Sequence, residues 1–163
     1  MIALGIDPGT ASCGFGVVAL EAGALRFIDA GVIRTDPKAP DADRLRHLAD
    51  ALRAIVTEHR PERVGVERLF FSRNVQTAMT VGQARGVALL TAAEHGLPVD
   101  EPTPTEVKQS VCGHGAADKR QVAEMVGRLL GVSLAGVADD ATDALAVAIA
   151  CAFAGAARVR VAR

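Results

Sequence analysis

Apolar positions along the chain change their period about a quarter of the way in. Up to residue 35 they come in short runs separated by turn residues, and after that they recur mostly at helical spacing. MIALGIDPG is an apolar run ending in Asp, Pro and Gly, which predicts a strand followed by a turn. GFGVVAL and ALRFIDAGVIRT predict two further strands joined at EAG, and connections this short make the three an antiparallel meander. A proline-rich loop, PKAPDADR, follows. From Asp41 onward Leu45, Leu48, Leu52, Ile55 and Val56 mark one face of a helix that ends near His59-Arg60-Pro61. RVGVE predicts a fourth strand, apolar until its last residue. Residues 74–95 predict a second helix, with Asn74 as its N-cap and His95-Gly96 as its stop. VDEPT is a fifth strand, PTEVKQSV a short helix opened by proline, GHGAAD a loop and KRQVAEMVGRLLG a helix. The last helix starts near Asp139 or Asp140 and runs to about Ala156.

This order predicts an α/β fold, a five-stranded mixed sheet flanked by helices. With no repeat, linker or low-complexity segment, residues 1–163 are expected to form a single domain. Half of the residues are apolar and 23% are charged, as in ordinary globular proteins. The chain opens on an apolar strand without a basic leader and cleavage site. The longest apolar helical stretch, near residues 144–157, is alanine-rich and reads as too short for a bilayer. Cys13, Cys112 and Cys151 are odd in number and lack metal-ligand spacing, so they are expected as reduced thiols. Together these features predict a cytoplasmic protein with no membrane partner. A net charge of −1 announces no nucleic-acid binder, so any such case rests on where the charges lie.

The acidic residues are placed unusually. Asp7 ends the first strand and Glu67 ends the fourth, each replacing an apolar residue where α/β sheets bind their ligands. Asp140 and Asp143, three apart in DDATDALA, share one face at the start of the last helix. Each has an ordinary reading: a turn aspartate at Asp7, an N-cap at Asp139 or Asp140, an ion pair of Glu67 with Arg68. Together, four carboxylates converging from two strands and a helix repel one another unless some are protonated or cations join them. Oxygen donors suit divalent cations, and a two-metal site is an arrangement for phosphodiester cleavage.

Just beyond Glu67 stand Phe70 and Phe71, two of the five phenylalanines in a chain without Trp or Tyr. On extended backbone their rings point to opposite sides, so one can enter the core while the other, beside Arg73, is free to stack on a nucleobase. The alternative, a hydrophobic staple onto the following helix, accounts for one ring only. Of 18 cations only Lys38, Lys108 and Lys119 are lysines. Lys108 and Lys119 bracket QSVCGHGAAD, where Gly113 and Gly115 allow close backbone approach and the lysines and His114 can meet phosphates. Solvated helix-end lysines are the plainer reading. His47, His59 and His95 read as helix-surface or helix-end residues, and Arg158, Arg160 and Arg163 as a small basic tail.

GIDPGTASCGFGVV, VERLFFSRN, VGQARGVALL, PTEVKQSVCGHGAADKRQVAEMV and DDATDALAVAI, in this order and at this spacing, resemble the RuvC family of Holliday-junction resolvases. The element order is likewise ribonuclease-H-like. The resemblance implies a divalent-metal-dependent endonuclease that works as a homodimer on four-way DNA junctions in recombination and repair. It implies paired symmetric nicks and partnership with a branch-migration helicase complex. It places the catalytic carboxylates on Asp7, Glu67, Asp140 and Asp143, with Mg2+ or Mn2+ as a pair of ions. The base-stacking aromatic falls on Phe70, the important lysines on Lys108 and Lys119, and the dimer contact on the helix over residues 74–95. Asp139 lies outside that set and is expected to cap the last helix. Within that dimer helix Gly82 and Gly86 imply close packing against either a sister helix or the sheet.

Two other readings compete. GIDPGT with Gly14 and Gly16 also resembles the first phosphate loop of actin-like ATPases, but 163 residues leave no room for the second loop they need. A binding module without activity would need at least one of the four acidic positions lost, and all four are filled.

Overall fold

In the computed structural model the backbone is described for residues 1–68 and 75–161, and the side chains for those except 75–77 and 159–161. Phe70, Phe71 and Arg73 therefore lie outside the described residues. Strands β1 (Ile2–Asp7), β2 (Ser12–Glu21) and β3 (Ala24–Arg34) form the expected meander. Helix α1 (Asp41–His59) returns the chain to β4 (Arg63–Val66), and α2 (Val75–Glu94) returns it to β5 (Val99–Asp100). Helices α3 (Pro104–Cys112), α4 (Lys119–Leu130) and α5 (Asp139–Val161) complete the described chain. The sheet order is β3-β2-β1-β4-β5, antiparallel across β1, β2 and β3 and parallel across β1, β4 and β5. This is the ribonuclease-H-like mixed sheet that the element order predicts.

Side-chain alternation gives the two faces of the sheet different surfaces. One face carries Leu4, Ile6, Cys13, Val17, Val64 and Val66, and packs against Leu48, Leu52 and Val56 of α1 and Ala84, Ala88 and Ala92 of α2. The opposite face brings Ala3, Val18 and the partly buried Leu20, Leu25 and Phe27 into a second core with α5, and is bare at its centre. Gly5 pairs with Gly16 on β2 and with Gly65 on β4, making a row of three glycines across the central strands, and Gly14 pairs with Asp7 one step along. Helix α5 lies on this row at backbone distance. A Cβ on Gly5 would overlap the Ala144 carbonyl and the Ala148 amide, and one on Gly14 would overlap the Asp140 carbonyl. On Gly16 it would stand 2.7 Å from the Leu145 nitrogen, and on Gly65 3.0 Å from both Val147 Cγ1 and Cys151 Cβ. Here the glycines are demanded by close approach, their φ angles being ordinary.

Several expectations need correction. Helix α5 extends to Val161 rather than Ala156. Its segment Asp139–Arg158 has the length and mean hydropathy, 1.4, of a bilayer span, yet 67% of that stretch is buried. The helix is apolar nearly all round because it is enclosed between the sheet, α3 and α4. Arg158 is no part of a free basic tail, since its guanidinium pairs at 2.8 Å with Asp100, which also takes Arg63 at 2.8 Å and is only 6% exposed. Strand β5 stops at Asp100 because Pro102 has no N–H for the ladder and Pro104 opens α3. His59, expected at a helix surface or helix end, is the last residue of α1, and there it also reaches across to Asp29 of β3 at 3.1 Å. The three cysteines are unpaired, as expected, with Cys13 and Cys151 buried.

Substituting Gly5→Ala forces a methyl into the backbone of α5, where no flexible side chain can yield. It is expected to destabilise the protein by about 3 kcal/mol, read as a lower urea midpoint at unchanged m-value. A loss below about 1 kcal/mol would show that the helix can lift off the sheet without cost.

Candidate active site

Asp7 stands two residues beyond Gly5 on β1, so its side chain leaves the sheet on the face that α5 covers. Its ladder partner Gly14 lies directly under the Asp140 carbonyl, which puts Asp7 beneath the first turn of α5. Glu67 comes immediately after β4 rather than at its end. Its amide still donates to Ile6 at 3.4 Å, and the next amide, of Arg68, donates to the Pro102 carbonyl at 2.8 Å. The backbone around Glu67 is thus held between β1 and the segment leading into α3.

The carboxylates sense one another. Burial pushes the Asp7 carboxyl up to about 6, and the charges of Asp143 and Asp140 add to the effect against Lys119. Burial likewise pushes Glu67 up to about 7, with Asp7 and Asp143 raising it further and Lys108 opposing. Asp143 is raised by burial and held back by its bond to Lys119. Mutual repulsion of this kind marks acids brought together by the fold against their own electrostatics.

Two of the four already have a partner. The Ser12 hydroxyl donates to Asp140 Oδ2, and the Lys119 ammonium sits 3.1 Å from Asp139 Oδ2 and 3.2 Å from Asp143 Oδ2. Asp139 is the first residue of α5 rather than its cap, and its exposed carboxylate faces Lys119. Lys119 itself is fixed by a capping box in which Asp118 accepts from the Gln121 amide and Gln121 from the Asp118 amide. That places a cation on the first residue of α4, where the helix dipole disfavours it. Helix stability therefore does not explain this lysine, and its two carboxylate partners do.

Glu67, Lys108, Lys119 and Asp143 line one cavity of about 210 Å3, walled by Pro104, Val107, Val122 and Ala146. His114 is exposed in the turn between α3 and α4, on the same connection as Gly113 and Gly115. The structure so brings together both lysines and all four carboxylates that the sequence singles out. The sequence reading missed Ser12 and the part played by Asp139. A serine opening a strand carries no pattern of its own.

Among the described residues no three acidic, histidine or cysteine side chains already converge at metal-ligand distances. Unneutralised carboxylates hold apart, and here Ser12 and Lys119 engage two of them. The donor set nevertheless fits a hard divalent cation. It is all carboxylate oxygen, partly buried, and its members raise one another's affinity for positive charge.

Comparison with known proteins agrees with this geometry. A family model described as crossover junction endodeoxyribonuclease RuvC matches residues 3–151. The crossover junction endodeoxyribonuclease RuvC of Chloroflexus aggregans is 54% identical over 94% of this chain and 93% of its own. That of Heliobacterium modesticaldum is 51% identical over 93% and 94%. Among solved structures, RuvC from Thermus thermophilus in complex with Holliday junction substrate superposes with a TM-score of 0.90 at 39% identity, covering 95% of this chain and 94% of that one. The fowlpox virus resolvase in complex with junction DNA, at 11% identity and a TM-score of 0.59, shares the fold alone.

Asp7 and Glu67 bind protons more tightly in the folded chain than in the unfolded one. Their contribution to the stability of metal-free protein is therefore full below about pH 4 and lost as pH rises to about 7. Urea unfolding in EDTA is expected to show stability falling from pH 5 to pH 8. Asp7→Asn removes part of that fall and gains ~1–2 kcal/mol at pH 8. A variant whose stability runs parallel to the wild type at every pH would show that Asp7 is not desolvated.

Proposed function

The chain belongs to the RuvC family of crossover junction endodeoxyribonucleases, and from that membership we propose that it resolves four-way DNA junctions by paired, symmetric nicks. The observation that carries this reading is that Asp7, Glu67, Asp140 and Asp143 lie near enough to act on one another's protonation, with Lys108 and Lys119 lining the cavity that holds Glu67 and Asp143. Asp7, Glu67, Asp140 and Asp143 would hold two divalent ions, Mg2+ or Mn2+, whose chemistry when bound is to activate a water and stabilise the leaving 3′ oxygen. Asp7, whose carboxyl is raised by both Asp143 and Asp140, would be one of the residues that hold them. The products are 5′-phosphate and 3′-hydroxyl ends.

The chain's own residues position the strand. Lys108 and Lys119 bring cationic donors to the cavity that holds Glu67 and Asp143, where a scissile phosphate would lie. His114 stands on the turn between them and offers a further phosphate contact. Phe70 is assigned to stacking on a base at the junction centre, with Phe71 and Arg73 beside it. Because contacts of this kind are largely to phosphates, binding weakens steeply with salt.

A four-way junction has approximate two-fold symmetry and must be cut twice, so a homodimer supplies two matched sites. The surface we assign to it is a stripe on α2. Met79 and Leu90 are 64% and 56% exposed, and a Cβ on Gly82 or Gly86 would meet none of the described residues within 4 Å. The family's setting, with a branch-migration helicase complex acting on DNA in the cytoplasm, is extended to this chain, and reduced cysteines are consistent with it.

Cleavage of a labelled synthetic four-way junction tests the activity. With Mg2+ or Mn2+ the wild type is expected to give symmetric nicks that ligate, and with EDTA, or with Asp7→Asn, to give none while still binding the junction. Folded protein that binds junctions but never cuts them in either metal would overturn the assignment. For the dimer, Gly86→Arg is expected to sediment as a monomer at unaltered secondary structure. A variant that remains dimeric would remove the α2 stripe from the interface.

A further inference from the structure

Asp140 is held by a residue distant in sequence. The Ser12 hydroxyl donates to Asp140 Oδ2 across 128 positions of chain, joining the first residue of β2 to the first turn of α5. The backbone presenting that hydroxyl is itself fixed. Thr35 Oγ1 donates to the Thr10 carbonyl at 2.6 Å, and the Thr35 amide donates to the Ala11 carbonyl at 3.3 Å, pinning the turn that precedes Ser12. Gly9 lies so close over Ser12 that a Cβ there would overlap the Ser12 carbonyl. Thr10 in the same turn is 7% exposed. On the other side, Gly14 leaves no gap between β2 and the Asp140 backbone. The hydroxyl and the carboxylate are thus both mounted on rigid elements, and one hydrogen bond settles the rotation of the acid.

We propose that Ser12 is a positioning residue for Asp140, fixing the carboxylate in the orientation in which it holds a divalent cation. This rests on the reading of Asp140 as a cation ligand. Its neighbour three residues on is held differently, because Asp143 is engaged by the charge of Lys119. A hydroxyl can remain bonded to one oxygen of a carboxylate whose other oxygen binds a cation, since an ionised carboxylate accepts more than one bond. The hydrogen bond from Ser12 therefore persists in the loaded site. Outer partners of metal-ligating groups typically change metal affinity by about 10–100-fold when removed.

The test is Mn2+ binding to the full chain without DNA, measured by isothermal titration calorimetry. Ser12→Ala is expected to weaken Mn2+ binding by about 10–100-fold, and Ser12→Thr, which keeps the hydroxyl, to restore it to within a few-fold of wild type. Junction binding in EDTA should be unchanged in both. In an Asp140→Asn background, Ser12→Ala should have no further effect on Mn2+ binding. Wild-type affinity in Ser12→Ala, failure of Ser12→Thr to restore it, an additive loss in the Asp140→Asn background, or absence of Mn2+ binding in the wild type would each overturn the proposal. Should Ser12→Ala fail to fold, the comparison of Ser12→Thr with Ser12→Val decides it, threonine binding Mn2+ as wild type and valine not. A wild type that binds Mn2+ through Ser12-held Asp140 but leaves junctions uncut would refute the assigned activity and leave the Ser12 inference standing.

Discussion

The structure depends on the backbone-to-backbone seat of α5 on the central strands. Ordinary helix–sheet packing interposes two layers of side chains, and here Gly5, Gly16 and Gly65 remove the sheet's layer. What this proximity gains is position. It lowers the first turn of α5 onto Gly14 and so onto the level of Asp7, which lies opposite Gly14 in the ladder. Side chains of valine size in the row would lift Asp140 and Asp143 away from Asp7 by several ångströms. At the centre of the sheet the large residues are on the other face, where Leu4, Ile6, Val64 and Val66 bury against α1 and α2. Both faces carry a hydrophobic core, and the α5 face adds the geometry that the glycine row imposes.

Bringing acids together in this way works against stability. Asp7 and Glu67 are desolvated and repelled by their neighbours, which is why both hold protons far above the usual carboxylate range. The fold tolerates them because the strands and α5 are independently fixed by their cores. Lys119 offsets part of the excess charge at the rim, from a helix position where a lysine would otherwise be unfavourable. Negative charge concentrated in this way at one spot raises the affinity of the site for any positive charge that approaches it.

The elements were legible because their signals are local. DPG ends β1, Pro104 opens α3, and the spacing of Leu48, Leu52 and Val56 marks the buried face of α1. Asp7, Glu67, Asp140 and Asp143 stood out because each interrupts an apolar run or opens an apolar helix. What stayed hidden is non-local. The glycine row exists only in the register of three strands, and no window of sequence contains Gly5, Gly16 and Gly65 side by side. Ser12 meets Asp140 only once β2 and α5 have packed. Asp100 and Arg158 gave no periodic signal, and their pairing, which removes Arg158 from the basic tail, needs the last turns of α5 laid beside β5. The length of α5 was misjudged for a related reason, since an alanine-rich helix that is enclosed on most sides loses the polar face by which its limits are read.

Glycine also occurs where none of the described residues comes close to it. Gly82 and Gly86 on α2 have no described residue within reach of an added Cβ, so the sheet is not what their small size accommodates. Within the monomer they only weaken the helix, by about 1 kcal/mol each relative to alanine, and they leave Met79 and Leu90 exposed on the same stripe. The opposite side of α2 is fully used, with Ala84, Ala88 and Ala92 buried against the core and Arg85 paired to Glu101. Two glycines that cost stability and gain no contact among the described residues fit the proposed dimer, in which an external body approaches at backbone distance. A second α2 related by two-fold symmetry would set glycine against glycine and cover Met79 and Leu90 with their own counterparts. The chain would then use one device twice: inside, to bring α5 down on the carboxylate at the end of β1, and outside, to bring two such sites to one junction.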